Sequence, residues 1–394
     1  MRDIVTFDSA PAEGTINFSI GQPSADLLPL DLVKRASQTF LDDAQSIELN
    51  YGVVDGDIRF LDSLAGFLAE GYASKTNAEN LFVTGGNSQG LDMVSTVFAK
   101  AGDTVFVEEP SFFLAFQIFR DHGLEIVGIP MDEDGPRIDA LQDRLKKHKP
   151  AFFYTIPSYQ NPSGRCTTEA RRLEIIELAK KHDFLVVADE VYQLLNYYDS
   201  PPVAYGTMIE NNKVISLGSF SKILAPGLRV GWIQTSATLK KRLLASGFVN
   251  SGGCISHFSS HIVRQSINDG SLNSHIDSLR RAYRARLEAM DSALTEHFSD
   301  RAEWTAPKGG YFFWLRFDQS VDTTPLRNMA PELETGFQDG AVFSSKDQFH
   351  NYLRVSFAHY REDDIYEGIS RIRRVFDRFG KHDLRSSANP CNQN

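Results

Sequence analysis

The stretch VISLGSFSKILAPGLRVGW, residues 214–232, indicates both the fold and the chemistry of this chain. Its first four residues are mainly apolar and β-branched, which predicts a buried strand. The strand runs into small hydroxyl residues around Lys222, and a Pro-Gly turn follows. A lysine on a rigid turn inside a dry site loses its proton readily and can attack a carbonyl carbon to form a Schiff base. The alternative that the pattern leaves open is a surface lysine in a Ser/Gly loop.

Two further strands end in polar residues that suit a binding site. Residues 184–188 form the most strand-like run of the chain and predict a central parallel strand, which ends at Asp189. A carboxylate just past a buried strand costs several kcal/mol unless a cation is present. The alternative is that Asp189 caps a following helix. Residues 151–156 predict another strand, and the Asn-Pro-Ser-Gly turn after it fixes the direction of Asn161.

A third pattern predicts an anion site. Residues 81–84 read as a strand, residues 85–90 as a glycine-containing turn, and the run from Leu91 as a helix. Strand, glycine turn and helix together aim backbone N–H groups and the helix dipole at an anion. The spacing matches neither the dinucleotide-binding glycine pattern nor the P-loop.

Composition limits the classes of protein to consider. The 394 residues are enough for a large core and two domains, and 42% hydrophobic with 23% charged residues is typical of a soluble enzyme. The net charge of −10 argues against nucleic acid or an anionic membrane as the main partner. Three scattered cysteines make neither a disulfide framework nor a metal site. No segment reads as a signal peptide or a membrane span, so we expect a cytoplasmic protein.

Taken in chain order, these motifs resemble those of the pyridoxal-phosphate (PLP) enzymes of the aspartate aminotransferase superfamily, the class I/II aminotransferases of fold type I. The resemblance extends from about Ile16 to Phe379. It implies an α/β fold with a large domain, residues 45–285, built on a mostly parallel sheet of the seven-stranded type. It also implies a smaller α+β domain made from residues 1–44 and 286–394.

The resemblance assigns roles to residues of this sequence. Lys222, Asp189 and Tyr192 are the expected catalytic residues, with Lys222 bonded to PLP and Asp189 paired with its protonated pyridine nitrogen. Asn161 and Tyr192 are expected at the phenolic oxygen. The full set expected at the cofactor is Gly86, Asn87, Ser88, Phe112, Asn161, Asp189, Tyr192, Ser219, Ser221, Lys222, Arg229 and, from the partner subunit, Tyr51.

The expected substrate site consists of Arg354, Gly21 and Asn161. In the family, the arginine at the place of Arg354 grips the α-carboxylate with two hydrogen bonds. The glycine at the place of Gly21 lies over the same carboxylate. For Arg354 the alternative is an internal salt bridge to a nearby acid, and for Gly21 it is a plain turn.

The predicted function is a PLP-dependent transfer of an amino group from an L-α-amino acid to a 2-oxo acid, with 2-oxoglutarate as the expected acceptor. A homodimer with shared active sites is implied, without nucleic acid or membrane partners. The alternative is another PLP reaction on the same scaffold: β/γ-elimination or replacement, decarboxylation, oxidation or cyclisation. Phe112, Asn87-Ser88 and residues 344–346 depart from the common family pattern and keep that alternative open. A PLP-sensing regulator is less favoured, because no DNA-binding domain fits ahead of Ile16.

Overall fold

The computed structural model describes residues 12–200 and 203–379. Within these ranges the strands are β1 (Ile16–Asn17), β2 (Leu81–Thr84), β3 (Thr104–Glu109), β4 (Glu125–Asp132), β5 (Gly135–Pro136), β6 (Pro150–Thr155), β7 (Leu185–Asp189), β8 (Val214–Ser219), β9 (Gly231–Thr235), β10 (Ala302–Glu303), β11 (Phe312–Phe317), β12 (Thr335–Gly336), β13 (Gln338–Asp339) and β14 (Tyr352–Ser356). The α-helices are α1 (Leu30–Asp43), α2 (Ile58–Gly71), α3 (Asn87–Phe98), α4 (Phe113–Asp121), α5 (Ile138–Leu145), α6 (Glu169–His182), α7 (Ala237–Leu244), α8 (Gly247–Gly252), α9 (His257–Asn268), α10 (Ser271–Phe298), α11 (Thr323–Met329) and α12 (Glu362–Phe379).

The large sheet has the strand order β2-β9-β8-β7-β6-β3-β4-β5. Neighbouring strands from β8 to β4 are parallel, and β9 and β5 are antiparallel to their neighbours. Seven strands therefore form the mostly parallel sheet expected from the sequence, and the two-residue β5 adds an eighth at the edge. The carboxyl ends of the parallel strands meet at one edge of the sheet, which is where α/β sheets bind ligands.

The parallel strands bury apolar side chains on both faces, because helices cover both faces. Successive side chains of a strand point to opposite faces. In β8, Ile215 and Leu217 pack in one apolar cluster, and Val214 packs in a second cluster on the other face. In β7, Val187 and Val186 divide in the same way. The apolar runs of the sequence are thus explained by burial from two sides.

A second sheet, with the antiparallel order β10-β11-β14-β13, lies in the carboxyl-terminal part of the chain. The long helices α10 and α12 pack against each other there. All strands of the large sheet fall within residues 81–235, and all strands of this sheet fall within residues 302–356. These ranges support the proposed domain division at residues 45–285, which stays a prediction.

The amino-terminal segment is attached to the carboxyl-terminal part. β1 pairs with β12. Phe18 is fully buried, its N–H donates to Gly336 O at 2.8 Å, and its carbonyl accepts from Ser356 N at 3.0 Å. The segment then continues to Gly21, whose carbonyl accepts a hydrogen bond from Lys222. This course brings the amino-terminal glycine to the edge of the large sheet.

We predict that Gly218→Ala destabilises the fold. A Cβ at Gly218 would lie 2.1 Å from two ring atoms of Trp232, which is opposite Gly218 in the β8–β9 ladder. Overpacking of a buried site costs about 1–3 kcal/mol, so the melting temperature measured by circular dichroism should fall by several degrees.

The matched control for this prediction is Gly66→Ala, an exposed position in α2 where a Cβ meets nothing within 4 Å. Alanine is the better helix former by about 0.5–1 kcal/mol, so this variant should melt at the same temperature or higher. A Gly218→Ala protein that melts like the wild type would contradict the packing described for β8 and β9.

Candidate active site

Lys222 lies in the turn that follows β8, at the carboxyl edge of the large sheet. Its Nζ donates a hydrogen bond to Gly21 O over 2.8 Å. Burial and the positive charge of Arg354 lower the pKa of Lys222 to about 8, against the opposing effect of the Asp189 carboxylate. An amine with this pKa can both hold and release a proton near neutral pH.

Asp189 is the last residue of β7 and is almost fully buried. Its Oδ1 accepts from Asn87 Nδ2 at 2.6 Å, and its Oδ2 accepts from the Tyr154 hydroxyl at 2.9 Å. Burial raises the pKa of Asp189, and these two hydrogen bonds oppose that rise. Within residues 12–200 and 203–379 no lysine, arginine or histidine lies at ion-pair distance from this carboxylate. The described residues between β7 and β8 contain no α-helix, so the alternative that Asp189 caps a following helix is wrong.

Arg354 lies in β14, and the residue is 3% exposed. Its Nη1 donates to Asn161 Oδ1 at 3.1 Å and its Nη2 to Ser19 O at 2.6 Å. The guanidinium carbon lies 4.3 Å from the ring centre of Phe312 and 5.1 Å from that of Phe343. The arrangement therefore places Arg354 and Asn161 side by side, as the sequence predicts.

The charge of Arg354 has no counter-ion in the described part of the chain. Its contacts there are a side-chain amide, a carbonyl and two aromatic rings, and its Nε is buried without a hydrogen-bond partner. Burial lowers the pKa of Arg354 to about 10. The alternative of an internal salt bridge is thus not found among these residues. A buried guanidinium with a free N–H can donate a hydrogen bond to the carboxylate of a ligand.

The predicted anion site forms where β2 meets α3. Gly86 precedes the first turn of α3 with a φ of 92°, and a Cβ there would lie 2.9 Å from Arg229 Nη2. Arg229 donates from Nη2 to Gly85 O at 2.8 Å and is otherwise exposed. Glycine is therefore needed for the guanidinium to reach the start of the helix. The helix N-terminus and this guanidinium are suited to holding a phosphate.

Two hydroxyl groups lie close to Lys222 in the sequence, one at the end of β8 and one in the turn after it. Ser219 Oγ and Ser221 Oγ are 2.9 Å apart, and Ser221 N donates to Ser219 Oγ at 3.1 Å. Ser88 is exposed in the first turn of α3. The side chain of Asn87 bonds to Asp189, so only its backbone N–H is available to an anion. These donors fit a phosphate group, and no carboxylate of the described residues bonds to Arg229.

The aromatic residues expected at the site differ in how the structure places them. Tyr192 is buried, with its ring centre 5.3 Å from that of Tyr311 and 6.0 Å from that of Phe312. Burial and the nearby Asp189 carboxylate raise the pKa of Tyr192. Phe112 is half-buried beside Phe113. Tyr51 is 75% exposed.

The structure adds residues that the sequence analysis does not identify. Tyr154 is one of two hydroxyl-bearing residues in the mainly apolar strand β6 and lies next to Val187 of β7, a pattern that could have indicated a partner for Asp189. Phe312 and Phe343 flank Arg354, and Ser19 accepts from it. The sequence holds 28 phenylalanines, so no local signal distinguishes these two.

Comparison with known proteins agrees with this geometry. The family model "Aminotransferase class I and II" matches residues 13–372. The aromatic-amino-acid aminotransferase 1 of Thermococcus litoralis is 32% identical over 363 residues, covering 91% of this chain and 87% of that protein. The 2-aminoadipate transaminase of Thermus thermophilus is 30% identical over 381 residues, covering 95% and 93%.

A solved structure is similar over the same length. The α-aminoadipate aminotransferase LysN from Thermus thermophilus, complexed with N-(5'-phosphopyridoxyl)-L-leucine, has a TM-score of 0.84 at 29% identity, covering 93% of this chain and 92% of that one. None of the helices in residues 12–200 and 203–379 has the length and apolar composition that crossing a membrane requires. The family match and the fold together show that this chain belongs to the class I and II aminotransferases, PLP-dependent enzymes of fold type I that move amino groups between amino acids and 2-oxo acids.

Proposed function

We propose that this aminotransferase works through two buried charges that only its ligands neutralise. The observation that carries the proposal is Arg354, a buried guanidinium whose contacts in the described ranges include no carboxylate. Asp189 is the complementary case, a buried carboxylate that is held only by neutral donors. The charge of Arg354 lowers the pKa of Lys222, and the charge of Asp189 raises it. A protonated pyridine ring suits Asp189, and the carboxylate of an amino acid suits Arg354.

The residues around these charges fit PLP. We assign the pyridine nitrogen to Asp189, and the phenolic oxygen to Asn161 and Tyr192. The phosphate goes to the start of α3 and the turn after β8, and Phe112 covers the ring. The assigned phosphate contacts are Gly86, Asn87, Ser88, Ser219, Ser221, Arg229 and, from a second copy, Tyr51. When bound, PLP supplies an electron sink that stabilises the carbanion left when the Cα–H bond breaks.

The chain itself moves the proton and orients the substrate. Lys222 Nζ, whose pKa is lowered to about 8, would take the proton from the substrate Cα, hold it on the amine and give it back to carbon on the cofactor side. Arg354 Nε and Nη2 lie on one side of the guanidinium, and a carboxylate that binds both replaces Ser19 O. Gly21 lies against Lys222 and the ring of Phe312, and so limits the access of water. We propose 2-oxoglutarate as the acceptor, because its α-carboxylate can use the same arginine.

The proposed function predicts a reversible loss of cofactor absorbance. The purified holoenzyme is titrated with single L-amino acids, including tyrosine, phenylalanine, 2-aminoadipate and aspartate. At least one donor should bleach the visible band, and 2-oxoglutarate should restore it, because the amino group passes to the cofactor and then to the acceptor. Lys222→Ala should show neither change. A wild type that forms no band with added PLP would contradict the role of Lys222, and release of ammonia without recovery of the band would contradict transamination.

The carboxylate site is tested in the same titration. Arg354→Gln should keep the band, because Arg354 does not hold the cofactor. It should raise the donor concentration needed for half-bleaching by about tenfold or more, since a charge-assisted pair of hydrogen bonds is lost. The matched control is Arg361→Gln, which removes an arginine whose side chain is 71% exposed. Equal behaviour of the two variants would contradict the assignment of Arg354.

We propose further that the enzyme is a homodimer. Six large apolar side chains from the last turn of α1 to the first residue of α2 are more than half exposed: Leu41, Ile47, Leu49, Tyr51, Val53 and Ile58. Monomeric proteins rarely leave large contiguous apolar patches in water, and we propose that these side chains form one. A second copy that covers this patch would bring Tyr51 to the neighbouring phosphate site.

We place the enzyme in the cytoplasm, supported by the free thiols of Cys166 and Cys254. Cell fractionation tests that placement.

The dimer proposal predicts a particle of about twice the 44.1 kDa chain mass in sedimentation equilibrium. Leu49→Asp should shift the particle toward the monomer and weaken PLP binding, because a charge in the apolar patch opposes association. Leu173→Asp is the control, since Leu173 is 49% exposed in α6, away from this patch. A wild type that sediments as a monomer at micromolar concentration would contradict the proposal.

A further inference from the structure

Tyr311 contacts both ends of Lys222. Its ring centre lies 5.3 Å from Lys222 Nζ, within the range of a cation–π interaction. Its hydroxyl donates to Lys222 O over 3.2 Å. The ring also packs against Tyr192 at a centre-to-centre distance of 5.3 Å. One fully buried side chain therefore lies between the amine, the backbone that carries it and a second residue of the cofactor site.

The residues before and after Tyr311 in the sequence fix its position. The two residues before it are Gly309 and Gly310, and Gly310 has a φ of 67°. A Cβ on Gly309 would lie 2.4 Å from Leu195 O, and a Cβ on Gly310 would lie 2.6 Å from Tyr159 Cβ. Glycine therefore lets this segment lie directly against its neighbours. Gly310 N donates to Leu195 O at 3.0 Å, which fixes the approach to Tyr311.

The backbone carbonyl and the hydroxyl of Tyr311 are also held in place. Phe357 N donates to Tyr311 O at 3.0 Å, where the chain enters β11. The Tyr283 hydroxyl of α10 lies 3.2 Å from the Tyr311 hydroxyl. The ring therefore has little freedom to move away from Lys222, and its contact with the amine follows from the backbone and from α10.

The charges that face Lys222 show what the ring contributes. Burial and Arg354 oppose a positive charge on Nζ, whereas the Asp189 carboxylate favours it. The face of an aromatic ring carries partial negative charge and also favours a nearby ammonium. Tyr192 and Tyr311 are neutral at physiological pH, since burial raises the pKa of both. Tyr311 thus favours the protonated amine without adding a charge to the site.

We propose that Tyr311 is a positioning residue for Lys222, whose ring holds the ammonium form of the side chain and whose hydroxyl holds the backbone of the same turn. The inference rests on the proposed role of Lys222. When the Lys222 amine is not bonded to PLP, the ring of Tyr311 holds it between the step in which it takes a proton and the step in which it returns it. Removal of the ring should favour the neutral amine, and removal of the hydroxyl should loosen the turn.

The test follows covalent capture of PLP by the apoprotein as a function of pH. Only the neutral amine attacks the aldehyde, so the capture rate of the wild type should rise with pH through an apparent pKa near 8 and then level off. Borohydride reduction and mass spectrometry locate the captured label on Lys222. This readout needs no turnover.

Two substitutions separate the two contacts. Tyr311→Met removes the ring at similar volume, and the apparent pKa of capture should fall by about one unit, because a buried cation–π interaction is lost. Tyr311→Phe keeps the ring, so it should keep the apparent pKa and lower only the plateau rate, by severalfold. Tyr205→Phe is the matched control, since it removes a buried hydroxyl that has no hydrogen-bond partner and packs in the apolar cluster on the other face of the large sheet, so it should change neither quantity.

The outcomes distinguish this inference from the proposed function. If the wild type captures no PLP at Lys222, the proposed function itself fails. If the wild type captures PLP but Tyr311→Met keeps the wild-type pH profile, the inference about Tyr311 is overturned and the proposed function stands. An equal shift in Tyr205→Phe would also overturn it. Should Tyr311→Met fail to fold, Tyr311→Phe decides, because an unchanged plateau rate contradicts the role of the hydroxyl.

Discussion

A buried carboxylate without a cation is the constraint on which the rest of this structure depends. Asp189 ends β7, and the side chains that donate to its carboxylate, Asn87 and Tyr154, are both neutral. Neutral donors oppose the cost of burial only in part, because burial still raises the pKa of the carboxyl. This carboxylate at the edge of the large sheet supports the proposed pairing of Asp189 with a cationic ring.

Two other buried charges of the chain, Arg172 and Glu190, are paired with each other inside the protein. Arg172 and Glu190 are both completely buried, and their closest charged atoms lie 3.8 Å apart. Arg172 also donates to Pro157 O and to Ser158 Oγ, and Glu190 accepts from Ser216 Oγ. These charges are satisfied within the protein. Asp189 and Arg354 have no such charged partner among the described residues, which supports the ligand roles proposed for them.

Much of the site could be predicted from the sequence because its residues come directly after strands. The strand over residues 81–84 is found as predicted, and the ends of β7 and β8 place Asp189 and Lys222 at one edge. The helix after β2 begins at Asn87, four residues before the predicted start at Leu91. That earlier start brings the side chain of Asn87 to Asp189, which no local pattern indicates.

Contacts between distant segments could not be predicted in the same way. Ser19 O reaches Arg354 across 335 residues, and Tyr311 reaches Lys222 across 89. Such contacts depend on how the amino-terminal segment and the second sheet pack on the large sheet. Local periodicity carries no information about that packing. The residues found only in the structure are accordingly those that hold the predicted ones in place.

The most direct test of the central claim is calorimetric binding of pyridoxamine phosphate, which forms no bond to Lys222, to the apoprotein and to Asp189→Asn. If Asp189 holds a protonated pyridine ring, the variant should bind about tenfold more weakly or worse. Its proton uptake, measured in buffers of different ionisation enthalpy, should also fall. Equal affinity and equal proton uptake in the two proteins would show that the carboxylate does not pair with the ring, and would contradict the account.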